Sequence, residues 1–451
     1  MLTDLLIPDI EELLHGKQWT AVKEALSDWA PAEVVDLMNR LERSDRILLF
    51  RALPREIATD VFVNLEYEER EGLISDLTRK ETKEIIDEME ADDRTSLLEE
   101  LPAKVQQYIL NMLTPEELKI ARTLLGYPED SIGRHMTPDF VKLLPEWDVA
   151  RALRHIRRFG KDMESLYRMY VVSKNGRLLG SVLLKDLVLS TEEELISNIM
   201  DESIAYLSAF DDQEEGVRQF EKYDVTAMPV VDSQGSLVGI VTFDDIYDIS
   251  EEEVTEDFQR LSGVNPLDKS YLATSKWLLY KKRVPWLIGL LVASFLTAAI
   301  INGYSGVTEQ LVALTAFIPM IIGTAGNTGT QSSTLMIRAL STGEVEMRDA
   351  LKIFRKELIV GLSLGLTMSL VAFIGGFIDG GAGIKVSIIV SISMILTVTL
   401  SNIFGNLLPL LIHRFGLDPA VISSPLITTI MDMTGAIVYY NTAMFFLGVE
   451  I

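Results

Sequence analysis

Residues 418–432 read DPAVISSPLITTIMD, and they decide what kind of protein this is. One carboxylate, Asp432, stands inside an apolar run that extends from about Ala420 to Leu447. Four more such runs lie between Arg283 and this one: about Val284 to Gly303, Leu311 to Ala339, Leu358 to Ile378, and Val386 to Ile412. Each is near or above the roughly 20 residues that a helix needs to cross the hydrocarbon core. Helices of a soluble core rarely come five in succession at these lengths with so few charges. The sequence therefore predicts a five-helix, all-α transmembrane domain over residues 281–451.

Charge divides the chain the same way. Of 41 Lys and Arg and 66 Asp and Glu, only ten basic and nine acidic residues lie from Lys281 onward. The acidic excess belongs to the first 280 residues, which excludes a general nucleic-acid binder. There is no cysteine, so disulfides, thiolate metal sites and thiol catalysis are excluded. MLTDLLIPDIEELLHGK at the N-terminus has acids within its apolar portion and no basic leader, so a cleaved secretory signal is not expected. With five spans, Lys281, Lys282, Arg283, Arg338, Arg348, Lys352, Arg355, Lys356 and Arg414 share one side and Lys385 alone takes the other. The positive-inside rule makes the first side cytoplasmic and turns the C-terminus outward, as in a multi-pass protein of the plasma (inner) membrane with cytoplasmic N-terminal domains.

Spans that only anchor have no need of the polar residues these carry. The second contains PMIIGTAGNTGTQ, residues 319–331; the fourth has Asn402 and Asn406 on one face; the fifth has Ser424, Pro425, Thr428, Thr429 and Asp432. Pro319 and Pro425 are each expected to free a backbone carbonyl four residues earlier, which suggests a lumen. Counted from Asp418, Asp432 lies about 21 Å along a helix, deep in the bilayer. An ionised acid there costs at least about 2.5–3.5 kcal/mol unless something compensates, and no span offers a base at that depth. Oxygen ligands from Asp432, Asn327, Thr428 and Ser424, with no Cys or His in reach, suit a hard cation. One acid per chain is too few for a calcium cage and matches magnesium, which keeps most of its waters. Two chains meeting on this face would place two acids beside a hydrated ion.

The first 130 residues read as short amphipathic helices. Asp45-Arg46, Leu49 and Leu53-Pro54 recur 48 positions later as Asp93-Arg94, Leu97 and Leu101-Pro102, the mark of stacked helix pairs in an α-helical superhelical N domain. A second repeat follows at an offset of 59: MYVVSKNGRLLGSVLLKD at 169–186 and MPVVDSQGSLVGIVTFDD at 228–245. Each gives strand, Gly turn, strand and helix. The pair resembles tandem α/β regulatory domains of the cystathionine-beta-synthase (CBS) type, over 131–200 and 201–250, which implies adenine nucleotide (ATP) at Thr242 and Asp245; Leu183 replaces the threonine in the first repeat. Residues 251–280 are expected to form a connecting helix. Its acids, with Asp245, Asp248, Glu252 and Glu256 at three- and four-residue spacing, make a carboxylate stripe whose repulsion bound cations would relieve.

The whole arrangement resembles the MgtE family of magnesium channels, most specifically in residues 319–331 and 418–432. The resemblance implies a homodimer in the lipid bilayer with Asp432 as the selectivity acid of an interfacial pore. It also implies a sensor that holds the pore shut when cytoplasmic Mg2+ binds at Asp93, Glu214, Asp245, Asp248, Glu253, Glu256, Asp257 and Asp418. Near Asp93, the acids Asp87, Glu88, Glu90 and Asp92 are alternatives. Two other functions remain open at this point: a non-conducting membrane-anchored sensor of divalent ions or nucleotide, and a transporter of another divalent cation. An enzyme is not expected, because His15, His135, His155 and His413 are scattered and no nucleophile–base pair stands out.

Overall fold

A computed structural model describes residues 2–267, 271–272, 274–310, 312–378, 383–415 and 417–448. Leu311, the expected start of the second span, lies outside them. The chain divides into two compact units, Met1–Glu251 and Glu252–Ile451.

In the first unit, ten helices (α1 to α10) occupy positions 2–124 among the described residues. They are short because the sequence keeps stopping them. Leu53 and Leu101, each followed by proline, adopt extended ψ values of 148° and 145°, ending α4 (Arg43–Ala52) and α8 (Ala91–Glu100). The 48-residue repeat is also a repeat of ion pairs: Arg46 reaches Glu69 at 2.8 Å and Arg94 reaches Glu117 at 3.3 Å, each partner 23 positions downstream. Leu49 and Leu97, the apolar members of the repeat, are fully buried in one core with Phe62 and Leu98.

The 59-residue repeat folds into two three-stranded sheets. In the first, β1 (Phe140–Leu143) runs parallel to β2 (Ser165–Val172), which pairs antiparallel with β3 (Leu178–Leu183). The second has β4 (Leu207–Ser208), β5 (Ala227–Val231) and β6 (Leu237–Thr242) in the same order and sense. Val171 faces Gly180 and Val230 faces Gly239, so the register repeats at the sequence offset. Gly176 and Gly235 turn the hairpins at φ of 82° and 79°, where a side chain would be strained. Helices α11 (Val149–Phe159), α12 (Leu184–Leu189), α13 (Ile196–Ile199) and α14 (Gln213–Tyr223) cover the sheets, and β6 leads straight into α15 (Phe243–Leu261).

The second unit is helical: α16 (Lys276–Gly303), α17 (Ser305–Gln310), α18 (Ile318–Ser341), α19 (Ala350–Ile378), α20 (Gly383–Arg414) and α21 (Ser424–Leu447). Among the described residues four membrane-length stretches are apolar enough to cross a bilayer, centred on α16, α18, α19 and α20. The fifth expected span, α21, has 24 residues but falls outside that set, because Thr428, Thr429, Asp432 and Asn441 dilute it. Three expectations need correction. Helix α15 stops at Leu261, where Gly263 takes a left-handed φ of 71°, so no single connecting helix reaches residue 280. Pro319 and Pro425 sit in the first turns of α18 and α21, where a missing N–H costs nothing; they open helices rather than breaking them, and the Val421 carbonyl accepts from Ser423 N. Because α21 starts at Ser424, Asp432 lies about 12 Å from the start of its own helix.

Candidate functional site

Helices α18 and α21 pack closely because α18 offers glycine where α21 offers bulk. A Cβ on Gly326 would stand 2.8 Å from Thr428 Cγ2 and 3.5 Å from Asp432 Oδ1. Thr330 Oγ1 and Thr428 Oγ1 are 3.2 Å apart, and Thr428 donates back to the Ser424 carbonyl at 3.0 Å. Beside this seam runs a groove of about 660 Å³, lined by Asn327, Thr330, Gln331, Ser424, Thr428 and Thr429 together with Leu290 and Pro425. Three of the four sequence-expected pore ligands, Asn327, Thr428 and Ser424, thus share one groove; Thr330 and Gln331 join them, one helical turn on from Asn327. Asp432 lies one turn on from Thr428, and its Oδ1 is buried without a hydrogen-bond partner among the described residues. Asn327 and Gln331 are exposed in mid-helix, an arrangement that lipid would not tolerate.

Asn402 and Asn406 play another part. Asn402 accepts from Ser332 at 2.6 Å and donates to the Glu357 carbonyl and carboxylate, both at 2.8 Å, while Asn406 donates to the Asn402 carbonyl at 2.8 Å. These amides tie α18, α19 and α20 together, so Asn402 and Asn406 are packing elements.

The acids expected to form a sensor fall into two groups. In the first unit, Asp92 and Asp93 at the start of α8 meet Asp245 of α15, with Glu90 and Glu164 alongside. Burial, then the charges of Glu90 and Asp245, push Asp93 up to about 7. Burial also raises Asp245 to about 6, although hydrogen bonds from Thr242 oppose the shift. Glu164 is pushed up to about 9, by burial and then by the Glu90 carboxyl. Asp92, 6 % exposed, is raised by burial and by Asp245. Asp248 is raised by burial and by Asp244. Glu214, on α14, is engaged with Arg218 at 3.1 Å. Nothing in the local pattern marks Glu164; only the fold brings it here.

In the second unit, Arg260 at the end of α15 pairs with both Glu256 and Asp418. Asp418 also caps the turn leading to α21, accepting from Ala420 N at 2.7 Å. Asp257 is raised by burial and by the Asp418 charge, and Glu253 is near enough to act on Arg260. Among the described residues no three His, Asp or Glu side chains converge as a ready-made cage for a bare metal ion. Thr242 and Asp245, the expected nucleotide residues, bond each other: the Thr242 hydroxyl donates to Asp245 Oδ2 at 2.6 Å and its amide at 3.2 Å, capping α15.

This layout has known counterparts. Residues 318–442 match a family described as MgtE, a divalent cation transporter; 29–130 match the MgtE intracellular N domain; 131–191 and 196–252 match the CBS domain. Over 445 residues the chain is 35% identical to the magnesium transporter MgtE of Thermus thermophilus, covering 98% of each. The chain belongs to the MgtE family. The MgtE magnesium transporter of Enterococcus faecalis is 31% identical over 74% of this chain and 72% of its own. Among solved structures, the cytosolic domain of the Mg2+ channel MgtE in complex with ATP aligns at 32% identity and a TM-score of 0.52, covering 54% of this chain and all of that one. The soluble part of a magnesium transporter aligns at 26% identity with the same score, covering 56% of this chain and 99% of its own. The multi-domain layout read from the two repeats and the apolar tail is therefore that of an MgtE protein: a helical N domain, a CBS pair and a helical membrane domain.

Proposed function

We propose that the chain is a magnesium-selective channel that admits Mg2+ across the plasma membrane and closes when cytoplasmic Mg2+ occupies its acidic clusters. The observation that carries this reading is Asp432, whose buried Oδ1 has no partner among the described residues, beside a groove whose lining includes the amide and hydroxyl groups of Asn327, Gln331, Ser424 and Thr428. Carboxyl, amide and hydroxyl oxygens suit an ion that keeps its water, since each accepts hydrogen bonds from that shell. The exposed Asn327 and Gln331 support a homodimer in which a second copy supplies the opposite wall. Lys and Arg asymmetry supports cytoplasmic N-terminal domains and an external C-terminus.

In this reading Asp93, Asp245 and Asp248 form one sensor group and Glu253, Glu256, Asp257 and Asp418 another, with Glu214 as a further ligand. Divalent charge bound among mutually repelling carboxylates stabilises the arrangement that shuts the pore. ATP at Thr242 and Asp245 of the second CBS domain would modulate it, supported by the ATP complex of the related cytosolic domain. The test is uptake in a transport-deficient cell. Asp432→Ala is expected to abolish Mg2+ uptake while the protein stays inserted, and full uptake by that variant would refute the pore assignment. Comparing Mg2+, Ca2+ and Mn2+ flux through the reconstituted protein separates this reading from carriage of another divalent ion, and absence of any flux would favour a non-conducting sensor.

A further inference from the structure

Residues 263–266, just after α15, lie against α16. Gly263 makes this possible, since a Cβ there would stand 2.4 Å from the Trp286 ring. Trp286 Nε1 donates to Ser423 Oγ at 2.8 Å, Lys282 Nζ donates to the Pro266 carbonyl at 2.5 Å, and Asn265 N donates to the Lys282 carbonyl at 3.2 Å. Between this pinned loop and α16 lies a groove of about 550 Å³. Ligand pockets typically measure about 300–1,000 Å³.

The groove is basic at one end and apolar at the other. Lys276, Tyr280 and Arg283, at four- and three-residue spacing, share one helical face and line it. Other cations here are already engaged: Lys281 stands over the Trp277 ring at 5.7 Å and Lys282 holds the loop. Lys276 and Arg283 are exposed and form no ion pair among the described residues. Leu279, Val284 and Leu287 of α16, with Ser262, Gly263 and Val264, complete the lining. Beyond Leu287 the stripe continues along the membrane-crossing part of α16 through Leu291 and Phe295, which are 61% and 67% exposed.

We propose that this groove is a binding site for an anionic phospholipid, its phosphate held by Lys276 and Arg283 and an acyl chain laid along Leu287, Leu291 and Phe295. The charge complements an acidic headgroup, and the apolar track starts where α16 enters the hydrocarbon. A soluble phosphate would use the basic end and leave the track uncovered.

Native mass spectrometry of the full-length protein in detergent, titrated separately with phosphatidylglycerol, phosphatidylcholine and inorganic phosphate, tests it. Phosphatidylglycerol is expected to bind at least about tenfold tighter than phosphatidylcholine, and K276Q/R283Q to lose about 30-fold in phosphatidylglycerol affinity. The control K281Q/K356Q removes the same charge outside the groove and is expected to stay within about threefold of the parent. Equal binding of both lipids, equal loss in the control, or competition by inorganic phosphate at matched concentration each overturns the site. So does a weakened dimer with lipid binding intact in K276Q/R283Q, the mark of a second copy in the groove. The readout is lipid binding rather than flux, so its failure leaves the transport reading standing.

Discussion

Arg260→Ala tests the sensor reading most directly. Arg260 is the cation that joins Glu256, one turn earlier on α15, to Asp418, where the chain turns toward α21. Its side chain is 37% exposed, so each pair is screened by water and contributes about 0.5–1 kcal/mol. Two pairs give about 1–2 kcal/mol, or about 5- to 30-fold in an equilibrium constant. Loss of the guanidinium leaves Glu256, Asp257 and Asp418 without the positive charge nearest them. A divalent ion then no longer competes with a resident cation, so it binds more tightly. The assay is Mg2+ flux through the reconstituted full-length protein, titrated with Mg2+ on the cytoplasmic side. Half-inhibition by Mg2+ is expected to shift about 5- to 30-fold lower in Arg260→Ala and to stay within about threefold of the parent in Arg260→Lys. Unchanged or weaker inhibition in Arg260→Ala would refute the reasoning, because the carboxylates would then not be ion ligands in competition with Arg260.

Two further predictions follow from groups on either side of the membrane surface. Asp93 sits at about 7 in the folded protein against 3.8 ordinarily, so its contribution to stability is complete below pH 3.8 and is lost as pH rises through 7. In chelator, the melting temperature of the full-length protein should therefore fall as pH rises from about 4 to about 7; millimolar Mg2+ should flatten the fall and Asp93→Asn should reduce it, whereas a rise over that range in both proteins would contradict the cluster. Asn402→Ala strips partners from Ser332 and Glu357, at about 1–3 kcal/mol for each buried group left unpaired. It should lower the melting temperature and leave the ratio of Mg2+ to Ca2+ flux unchanged, and a changed ratio would return Asn402 to the ion pathway.

Periodicity made most of the architecture legible. Offsets of 48 and 59 reappear as paired salt bridges and as a repeated sheet register, because a repeat in sequence has to satisfy the same local packing twice. That Asn327, Thr428 and Ser424 share a groove was legible because they are polar where lipid or close packing demands apolar residues. Single residues without a pattern escaped. Glu164 and Arg260 are ordinary charges in sequence and acquire partners only from chain segments distant in number. The prolines misled because the rule for a helix interior was applied at positions that prove to be helix starts. Asn402 misled because a buried amide serves packing as readily as transport.

The dilution of α21 bears on how the protein is made. An acid nine residues into a 24-residue helix would carry a penalty of up to about 2.5–3.5 kcal/mol on entry into a bilayer, and Thr428, Thr429 and Asn441 would add to it. Left to partition alone, this last segment would be the slowest of the set to leave the translocon. Its buried face, with Ile427, Met431, Ala436 and Tyr439, packs against the preceding helices, and burial there would offset part of that cost once those helices are in place.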